Sequence, residues 1–316
     1  MRDNATEEPA DGRQAVAVEV SVVVPAFQGR ATIVECLESV LRAVAGRSCE
    51  IIVVESSRDG AADLVRARFP GVRVIEPAGR LSAGAARNEG FRHARGRLLL
   101  CVDQDCLVPR DWISRMVELL ERDRVGAAGG SIGVANPRNL AGLCVYFLEF
   151  FTHFPSRGSI REDNYLIGAN SGWRPEAIRG LAFPDRTLGE DLLACASVRA
   201  NGFRILYDPS LAVLHHNRSG WCEFLRYCRA MGVAAADVQT RLGGRAIKAL
   251  HCIPAMSYGI PFLLLPRIGW KLLGAPRGYL ATYIALFPCC VVGHFAWADA
   301  FRRALRQRRT SASAVS

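Results

Sequence analysis

The chain has 316 residues, half of them hydrophobic, which is enough for one large α/β domain with an additional segment. Its formal net charge is +10, but residues 1–240 hold 29 basic and 29 acidic side chains, whereas residues 241–316 hold 11 basic side chains and one acid, Asp299. A basic segment can indicate nucleic-acid binding, but this one is also apolar, which favours an anionic membrane surface. We therefore predict a membrane partner and no nucleic-acid partner.

The cysteines and the first residues indicate a reducing compartment. Eleven cysteines include no C-x-x-C pair and no zinc spacing, and several stand inside apolar runs, where a reduced thiol behaves as a small hydrophobic group. Residues 1–19 are polar and contain acids, so we predict a disordered leader and not a secretory signal.

Strands and helices are predicted to alternate at short intervals along residues 20–240. The predicted strands are Val20–Pro25, Glu50–Val54, Val72–Ile75, Leu98–Val102, Val125–Ile132, Leu166–Asn170, Phe203–Leu206 and Ala212–Leu214. The predicted helices are Ala31–Ala45, Ala61–Phe69, Gly84–Ala94, Asp111–Glu121, Leu140–Phe154, Gly189–Ala200 and Trp221–Ala236. This alternation predicts a doubly wound, mostly parallel sheet.

Two carboxylates follow the buried strand Leu98–Val102, in the sequence Asp103-Gln104-Asp105. The strand is apolar on both faces, which indicates that it is buried. The two acids follow it directly, so they emerge at its carboxyl end, the edge where open α/β sheets bind ligands. Paired oxygen ligands suit a hard divalent cation, and such a cation suits a diphosphate. The motif alone is weak, since D-x-D also occurs in solvated turns.

The composition changes beyond residue 240. Leu250–Pro266 and Leu280–Trp297 contain no charged residue, and the second stretch is near the length of a spanning helix, about 20 residues. The first stretch is interrupted by prolines, so it can also be re-entrant or interfacial. We predict C-terminal hydrophobic helices that attach to a membrane, without a count of spans.

Six segments, in this order, resemble family-two inverting glycosyltransferases of the GT-A fold, the nucleotide-diphospho-sugar transferase fold. They are Val20–Phe27, Ile51–Gly60, Leu81–Gly90, Asp103–Asp105, and the pair Gly168–Asn170 with Gly189–Asp191. The resemblance covers about Val20–Met231. It implies a nucleotide-sugar donor, Mg²⁺ or Mn²⁺, and a lipid-linked or glycan acceptor presented at the cell membrane. The implied location is the cytoplasmic side of that membrane, in cell-envelope polysaccharide or glycolipid biosynthesis.

The resemblance also assigns roles to particular residues. Asp103 and Asp105 would hold the metal against the donor diphosphate, with Asp103 also touching the ribose and with His215 or His216 as a further ligand. The donor would be held by Pro25, Ala26, Glu55, Asp59, Ala86, Arg87 and Asp103. The acceptor would meet Asn170 and Trp173, with Asp191 as the general base and Glu190 beside it.

Each role has a simpler structural alternative. Glu55 and Asp59 can be turn residues that cap the next helix, and their loop is a residue shorter than the family pattern. Arg87 can make a surface ion pair, and Glu190-Asp191 can be acids favoured by a helix dipole. Either histidine can be a buried, hydrogen-bonded residue, and Trp173 can belong to the core.

The predicted domains are a leader at 1–19, a catalytic domain at 20–240, and a membrane-associated helical segment with a basic tail at 241–316. The resemblance implies a divalent-metal-dependent, inverting transfer. The chain lacks the Q-x-x-R-W signature of processive synthases, which favours transfer of one sugar per event. One alternative is a nucleotidyltransferase that makes a nucleotide-sugar, although the first loop contains no Lys. The other is a non-catalytic nucleotide-sugar-binding membrane protein.

Overall fold

The computed structural model describes residues 17–178, 183–185, 188–217, 220–243 and 245–313. The predicted leader lies almost entirely outside these residues. The strands are β1 Val20–Ala26, β2 Cys49–Glu55, β3 Arg73–Ile75, β4 Leu98–Val102, β5 Cys106–Leu107, β6 Val125–Val134, β7 Arg161–Glu162, β8 Asn170–Trp173 and β9 Arg204–His215.

Helices follow most of these strands and continue to the end of the described chain. They are α1 Ile33–Ala43, α2 Ala61–Arg68, α3 Ala83–His93, α4 Trp112–Leu120, α5 Leu140–Glu149, α6 Glu190–Ala200, α7 Trp221–Leu242, α8 Arg245–Cys252, α9 Ile260–Leu272, α10 Tyr279–Ala285 and α11 Phe287–Ser313. A short 3₁₀ helix, Pro254–Gly259, precedes α9.

The described strands form one sheet in the order β3-β2-β1-β4-β8-β6-β9-β5, with β7 paired to β9. Strands β3, β2, β1 and β4 are parallel, whereas β8 runs antiparallel to both β4 and β6. The parallel half brings the carboxyl ends of β1, β2 and β4 to one edge of the sheet. This confirms the predicted α/β fold, with Asp103 and Asp105 at that edge.

Helices cover both faces of the sheet because its central strands are apolar on both sides. Val22 and Val24 of β1 pack with α1 and α4 in one cluster of the core, and Val23 packs toward α3 and α6 in the other. All three valines are fully buried. Burial on both faces explains why β1 is apolar apart from Ser21.

Four elements differ from their predicted forms. The strand predicted at Leu166–Asn170 begins only at Asn170, and the helix predicted to reach Phe154 ends at Glu149. The two strands predicted at Phe203–Leu206 and Ala212–Leu214 are one bent strand, β9, with a register shift against β6 between Gly130 and Ser131. The short strands β5 and β7 were not predicted, because two residues carry no readable period.

The C-terminal helices pack on the rest of the molecule. Ile268 and Leu272 of α9 and Cys290 of α11 are buried in the same cluster of the core as β1 and α5. The predicted boundary at residue 240 falls inside α7. Residue 240 therefore marks a change in composition and not a gap in packing.

No helix in the described part of the chain is, on its own, both long and apolar enough to cross a bilayer. Helix α10 and the part of α11 up to Gln307 reach the necessary length and composition together, but they bend by 74° where they meet. The uncharged stretch Leu280–Trp297 is therefore not one straight helix.

Candidate active site

The loop after β4 is fixed by the residue between its two acids. The Gln104 side chain accepts a hydrogen bond from the Phe27 backbone N–H at 2.9 Å and donates one to the Phe27 carbonyl at 2.8 Å. Phe27 directly follows β1, the parallel neighbour of β4. This two-point contact joins the D-x-D loop to the end of β1 and leaves Asp103 and Asp105 on the wall of the adjacent cavity.

Arg87 joins the D-x-D loop to α6. Its guanidinium donates to Asp103 Oδ1 at 2.7 Å and to Glu190 Oε1 at 2.5 Å, and the side chain is 2% exposed. Gly168 lies against the guanidinium, where a Cβ atom would come within 2.8 Å of Cζ. One buried cation therefore holds together two acids that are 87 residues apart in sequence.

Burial and neighbouring charges set the protonation of this cluster. Burial would lower the pKa of Arg87, but the Asp103 and Glu190 carboxylates raise it well above its ordinary range. Burial raises the pKa of Glu190 to about 7, with Arg87 opposing that rise and Asp191 adding to it. Burial also raises the pKa of Asp191, while Arg87 and two backbone N–H groups partly counteract it.

Asp191 is held by the backbone at the start of α6. Its Oδ2 accepts from the Gly168 N–H at 3.1 Å and its Oδ1 from the Leu192 N–H at 2.7 Å. These bonds fix the orientation of the carboxylate beside the Arg87 cluster. The side chain lines the cavity, where it can accept a proton from a bound hydroxyl.

The structure distinguishes the two candidate histidines. His215, at the end of β9, has its Nε2 3.5 Å from Asp105 Oδ2 and lines the cavity. His216 has its Nε2 3.3 Å from Glu35 Oε2 and does not line the cavity. Burial alone would lower the pKa of His215, but the nearby Asp105 carboxylate opposes this and raises it to about 9.

The predicted catalytic and metal-binding acids line one cavity of about 510 Å³. Asp103, Asp105, Glu190 and Asp191 all line it, together with Arg87 and His215. Helices α5, α7 and α11 contribute an apolar part of the lining, with residues Phe150, Met231, Ala234, Ala235, Val238 and Trp297, and also the polar residues Glu149, Tyr227 and Gln239. Acidic groups and an apolar surface thus share one space.

The other predicted donor residues lie at the neighbouring strand ends and do not line this cavity. Pro25 and Ala26 close β1, and Ala86 is a buried residue of α3. Glu55 accepts hydrogen bonds from the backbone N–H groups of Ser57 and Arg58, and Asp59 accepts from those of Arg30 and Ala61. Both acids therefore have the contacts expected of turn and capping residues.

The predicted acceptor role of Asn170 and Trp173 does not fit their placement. Both side chains are fully buried within β8. The Asn170 side chain binds Trp112 Nε1 and the carbonyls of Ser131 and Leu211, each at 2.9 Å, and the Trp173 ring packs edge-on against Phe183. Side chains enclosed in this way cannot stack on a sugar, so we leave them out of the proposed site.

Two features of the site were missed by sequence reasoning. Gln104 had no predicted role, but its amide fixes the loop. Trp297 lies almost 200 residues beyond the D-x-D motif, in a segment assigned to the membrane, yet it lines the same cavity. No local pattern marks either residue, because each role depends on a contact distant in sequence.

A sheet of this order, with helices on both faces and acids at its carboxyl edge, defines a GT-A-type α/β protein. A similar fold occurs in a solved mannosyltransferase, PcManGT from Pyrobaculum calidifontis, described in complex with GDP-Man and Mn²⁺. The match has a TM-score of 0.56 at 21% identity and covers 91% of this chain and 84% of that one. At this identity the likeness concerns the fold.

Sequence comparisons identify the family. The model of glycosyl transferase family 2 matches residues 21–164. The chain is 32% identical to an N-acetylglucosaminyltransferase from Bradyrhizobium elkanii over 39% of this chain and 71% of that protein. It is 31% identical to the succinoglycan biosynthesis protein ExoO from Rhizobium meliloti (strain 1021) over 64% of this chain, and spans 62% of that relative's length. The chain belongs to glycosyl transferase family 2.

Arg87→Met tests the buried ion cluster. Removing one partner of a buried charge pair costs about 3–5 kcal/mol of unfolding free energy, since the remaining charges are left uncompensated. Without Arg87, the folded-state pKa of Glu190 rises further above its unfolded value. The folded state then binds the extra proton, so the variant loses stability as the pH rises from about 4.5, the ordinary Glu value, toward 8. Denaturant unfolding at pH 5 and pH 8 measures this difference.

The control is Arg66→Met, which removes an exposed arginine paired with Glu76 and Asp63. Its unfolding midpoint should hardly change at either pH, because exposed pairs contribute little. The double variant Arg87→Met/Glu190→Gln should recover part of the stability at pH 8. Equal loss at both pH values, with no recovery in the double variant, would argue against the cluster as the cause.

Proposed function

We propose that this protein is an inverting glycosyltransferase that moves one sugar from a nucleotide-diphosphate donor to a membrane-presented acceptor. The observation that carries the proposal is the single cavity in which the acids of the D-x-D loop and the acids of α6 meet across Arg87. Membership of glycosyl transferase family 2 supports it. So does the solved mannosyltransferase of similar fold, whose complex contains a nucleotide-sugar.

Asp105 and His215 are the proposed protein ligands of a divalent cation. Among the described residues, no group of three His, Cys, Asp or Glu side chains forms a complete metal site. Mg²⁺ and Mn²⁺ commonly take one or two protein ligands and complete their shell with substrate phosphates and water, so this sparse set fits. When bound, the cation would neutralise charge on the departing nucleoside diphosphate. Asp103 is oriented by Arg87 toward the same end of the cavity.

Asp191 is the proposed general base. Inversion is a single displacement, so one carboxylate must take the proton from the acceptor hydroxyl as the new bond forms. Two backbone N–H groups orient Asp191, and its raised pKa makes it a stronger proton acceptor than an exposed aspartate. Glu190 pairs with Arg87, so we give it a positioning role. Arg87 acts through the acids, because both of its terminal nitrogens already bind carboxylates.

The donor's nucleoside is proposed to lie beyond Asp103, toward the ends of β1 and β2. Pro25, Ala26, Glu55 and Asp59 stand at these strand ends. Glu55 is buried and its carboxylate accepts from Ser57 and Arg58, so it is proposed to hold the loop. Asp59 is partly exposed, and its remaining carboxylate lone pairs can still accept from a base or a ribose.

Membrane attachment is proposed to occur through α9 and its neighbours. Helix α9 buries Leu265 and Ile268, while Leu263 and Trp270 are each 75% exposed. Exposed Arg267 and Lys271 flank this apolar face, and no acid occurs between Arg241 and Ala298. This combination is typical of a helix lying in the interface of an anionic bilayer. All eleven cysteines are unpaired, which supports the cytoplasmic side.

The metal assignment predicts a loss of binding in Asp105→Asn. Mn²⁺-dependent binding of UDP or GDP should weaken by about tenfold or more, since a coordinating carboxylate becomes a neutral amide. Calorimetric titration of each nucleotide with and without MnCl₂ measures this, and Asp63→Asn on the exposed face of α2 is the control. Undiminished Mn²⁺-dependent binding in Asp105→Asn would show that the metal lies elsewhere.

The base assignment predicts that Asp191→Asn retains nucleotide binding but loses turnover. The expected decrease in kcat is about 10²- to 10⁴-fold, the usual contribution of a general base. Product formation with a panel of nucleotide-sugars measures turnover, and NMR of the anomeric proton reports whether the configuration is inverted. A retained configuration, or normal turnover in Asp191→Asn together with an inactive Glu190→Gln, would contradict the assignment.

The membrane proposal predicts that the full-length protein co-sediments with vesicles of phosphatidylcholine and phosphatidylglycerol. Leu263→Glu/Trp270→Glu should reduce binding by about tenfold or more, because burying a large apolar side chain contributes about 1.5–3 kcal/mol. Leu41→Glu, at an exposed position of α1, is the control and should bind normally. High salt should weaken binding only in part, since it screens the basic side chains alone. Equal binding by both variants would rule out this face.

A further inference from the structure

The cavity has an acidic end and an apolar wall, and the proposed function uses only the acidic end. The apolar wall combines Phe150 at the end of α5, Met231 and Val238 of α7, and Trp297 of α11. A site that binds only a nucleotide-sugar and a free sugar hydroxyl has no need of such a wall. Its position beside Asp191 points to the acceptor.

Close packing of α7 on α11 places Trp297 in the wall. A Cβ atom on Gly232 would lie 2.3 Å from the Trp297 carbonyl oxygen, so glycine is needed for this approach of the two helices. The Trp297 ring stacks on Phe301 with centroids 5.0 Å apart and stays partly exposed toward the cavity. Phe301 and Leu305 anchor the same helix in a small cluster with Ala236.

The charges around the cavity argue against an anionic group at the apolar wall. Five carboxylates line the cavity, those of Asp103, Asp105, Glu149, Glu190 and Asp191. Among the described residues that line it, the one Lys or Arg side chain is Arg87, which is paired with Asp103 and Glu190. A phosphate near this wall would therefore meet more carboxylates than lysine or arginine side chains among the described lining residues.

The volume is adequate for a sugar with an attached apolar group. Small-molecule sites usually measure about 300–1,000 Å³ and are mostly apolar with a few placed polar groups. The cavity, at about 510 Å³, fits this description. An amphiphile can set its hydroxyl groups at the carboxylates and its apolar part on α7 and α11.

We propose that the acceptor is a glycoside with an uncharged, apolar aglycone, and that Trp297 is an acceptor-binding residue supplied by the C-terminal helix. The sugar hydroxyl meets Asp191, and the aglycone lies along Met231, Ala234 and Trp297. This inference rests on the proposed glycosyl transfer and extends it to the chemical class of the acceptor. It also gives α11 a role in the site that is separate from membrane attachment.

Photoaffinity labelling tests the acceptor site without requiring turnover. The probe is an octyl β-D-glucoside with a diazirine at the end of its alkyl chain, applied to full-length protein in lipid nanodiscs. Peptide mapping should locate the label on α7 between Met231 and Val238, or on α11 near Trp297. Unlabelled octyl glucoside should prevent this labelling at a concentration at least tenfold below that of methyl glucoside, since only the former has the apolar group.

Two variants and a control make the test specific. Trp297→Ala should reduce labelling of α7 about fivefold or more, because the wall loses its largest apolar surface. Ala234→Leu should reduce the labelling of α7 similarly, because the larger side chain fills part of the cavity. This second variant tests the proposal even if Trp297→Ala folds poorly. Trp221→Ala, at an exposed tryptophan outside the cavity lining, should label like the unchanged protein.

Label confined to the exposed face of α9 at Phe262, Leu263 and Trp270 would overturn the proposal and indicate partition into lipid. If octyl phosphate prevents labelling of the cavity at a lower concentration than octyl glucoside does, the proposal of an uncharged aglycone is wrong. Mn²⁺-dependent nucleotide binding, measured on the same preparation, reports separately on the proposed function. If the protein binds nucleotide but is not labelled in the cavity, the proposed glycosyl transfer stands and this acceptor class is wrong.

Discussion

The contact of Arg87 with Asp103 and Glu190 is the constraint on which the site depends. Asp103 comes from the loop after β4 and Glu190 from the start of α6, and one guanidinium binds both at hydrogen-bond distance. The cation is buried, so it costs free energy unless both acids remain in place. Any movement that separates the D-x-D loop from α6 must therefore break a buried ion pair. The proposed metal end and the proposed base are held in one geometry by this arrangement.

The C-terminal helices belong to the same packed unit as the sheet. Cys290 of α11 is buried with Val22 of β1 and Tyr146 of α5 in one cluster of the core, and Gly232 lets α7 and α11 approach closely. The change in composition near residue 240 suggested a separate membrane anchor. These helices instead have two different faces. One face packs on the protein, and the other leaves large apolar residues such as Trp270 exposed.

Periodicity was sufficient to predict the parallel half of the sheet, because β1, β2 and β4 are mostly apolar and are separated by helical segments. For the same reason Asp103 and Asp105 could be placed at the correct edge. The roles of Asn170 and Trp173 could not be predicted, because β8 lies between β4 and β6 and is buried on both faces, and three of its four residues lie beyond the predicted strand. Gln104 also gave no signal, since its partner Phe27 lies 77 residues away.

Charge explains why the proposed substrates should enter in a definite order. Among the described residues that line the cavity, carboxylates outnumber cationic side chains, and Arg87 is already paired with two of them. A bare diphosphate would meet net negative charge, whereas its complex with a divalent cation carries much less charge, and Asp105 and His215 would hold that cation. Donor and metal are therefore expected to bind together. With that end occupied, the remaining space borders Asp191 and the apolar wall, which leaves the uncharged acceptor to bind last.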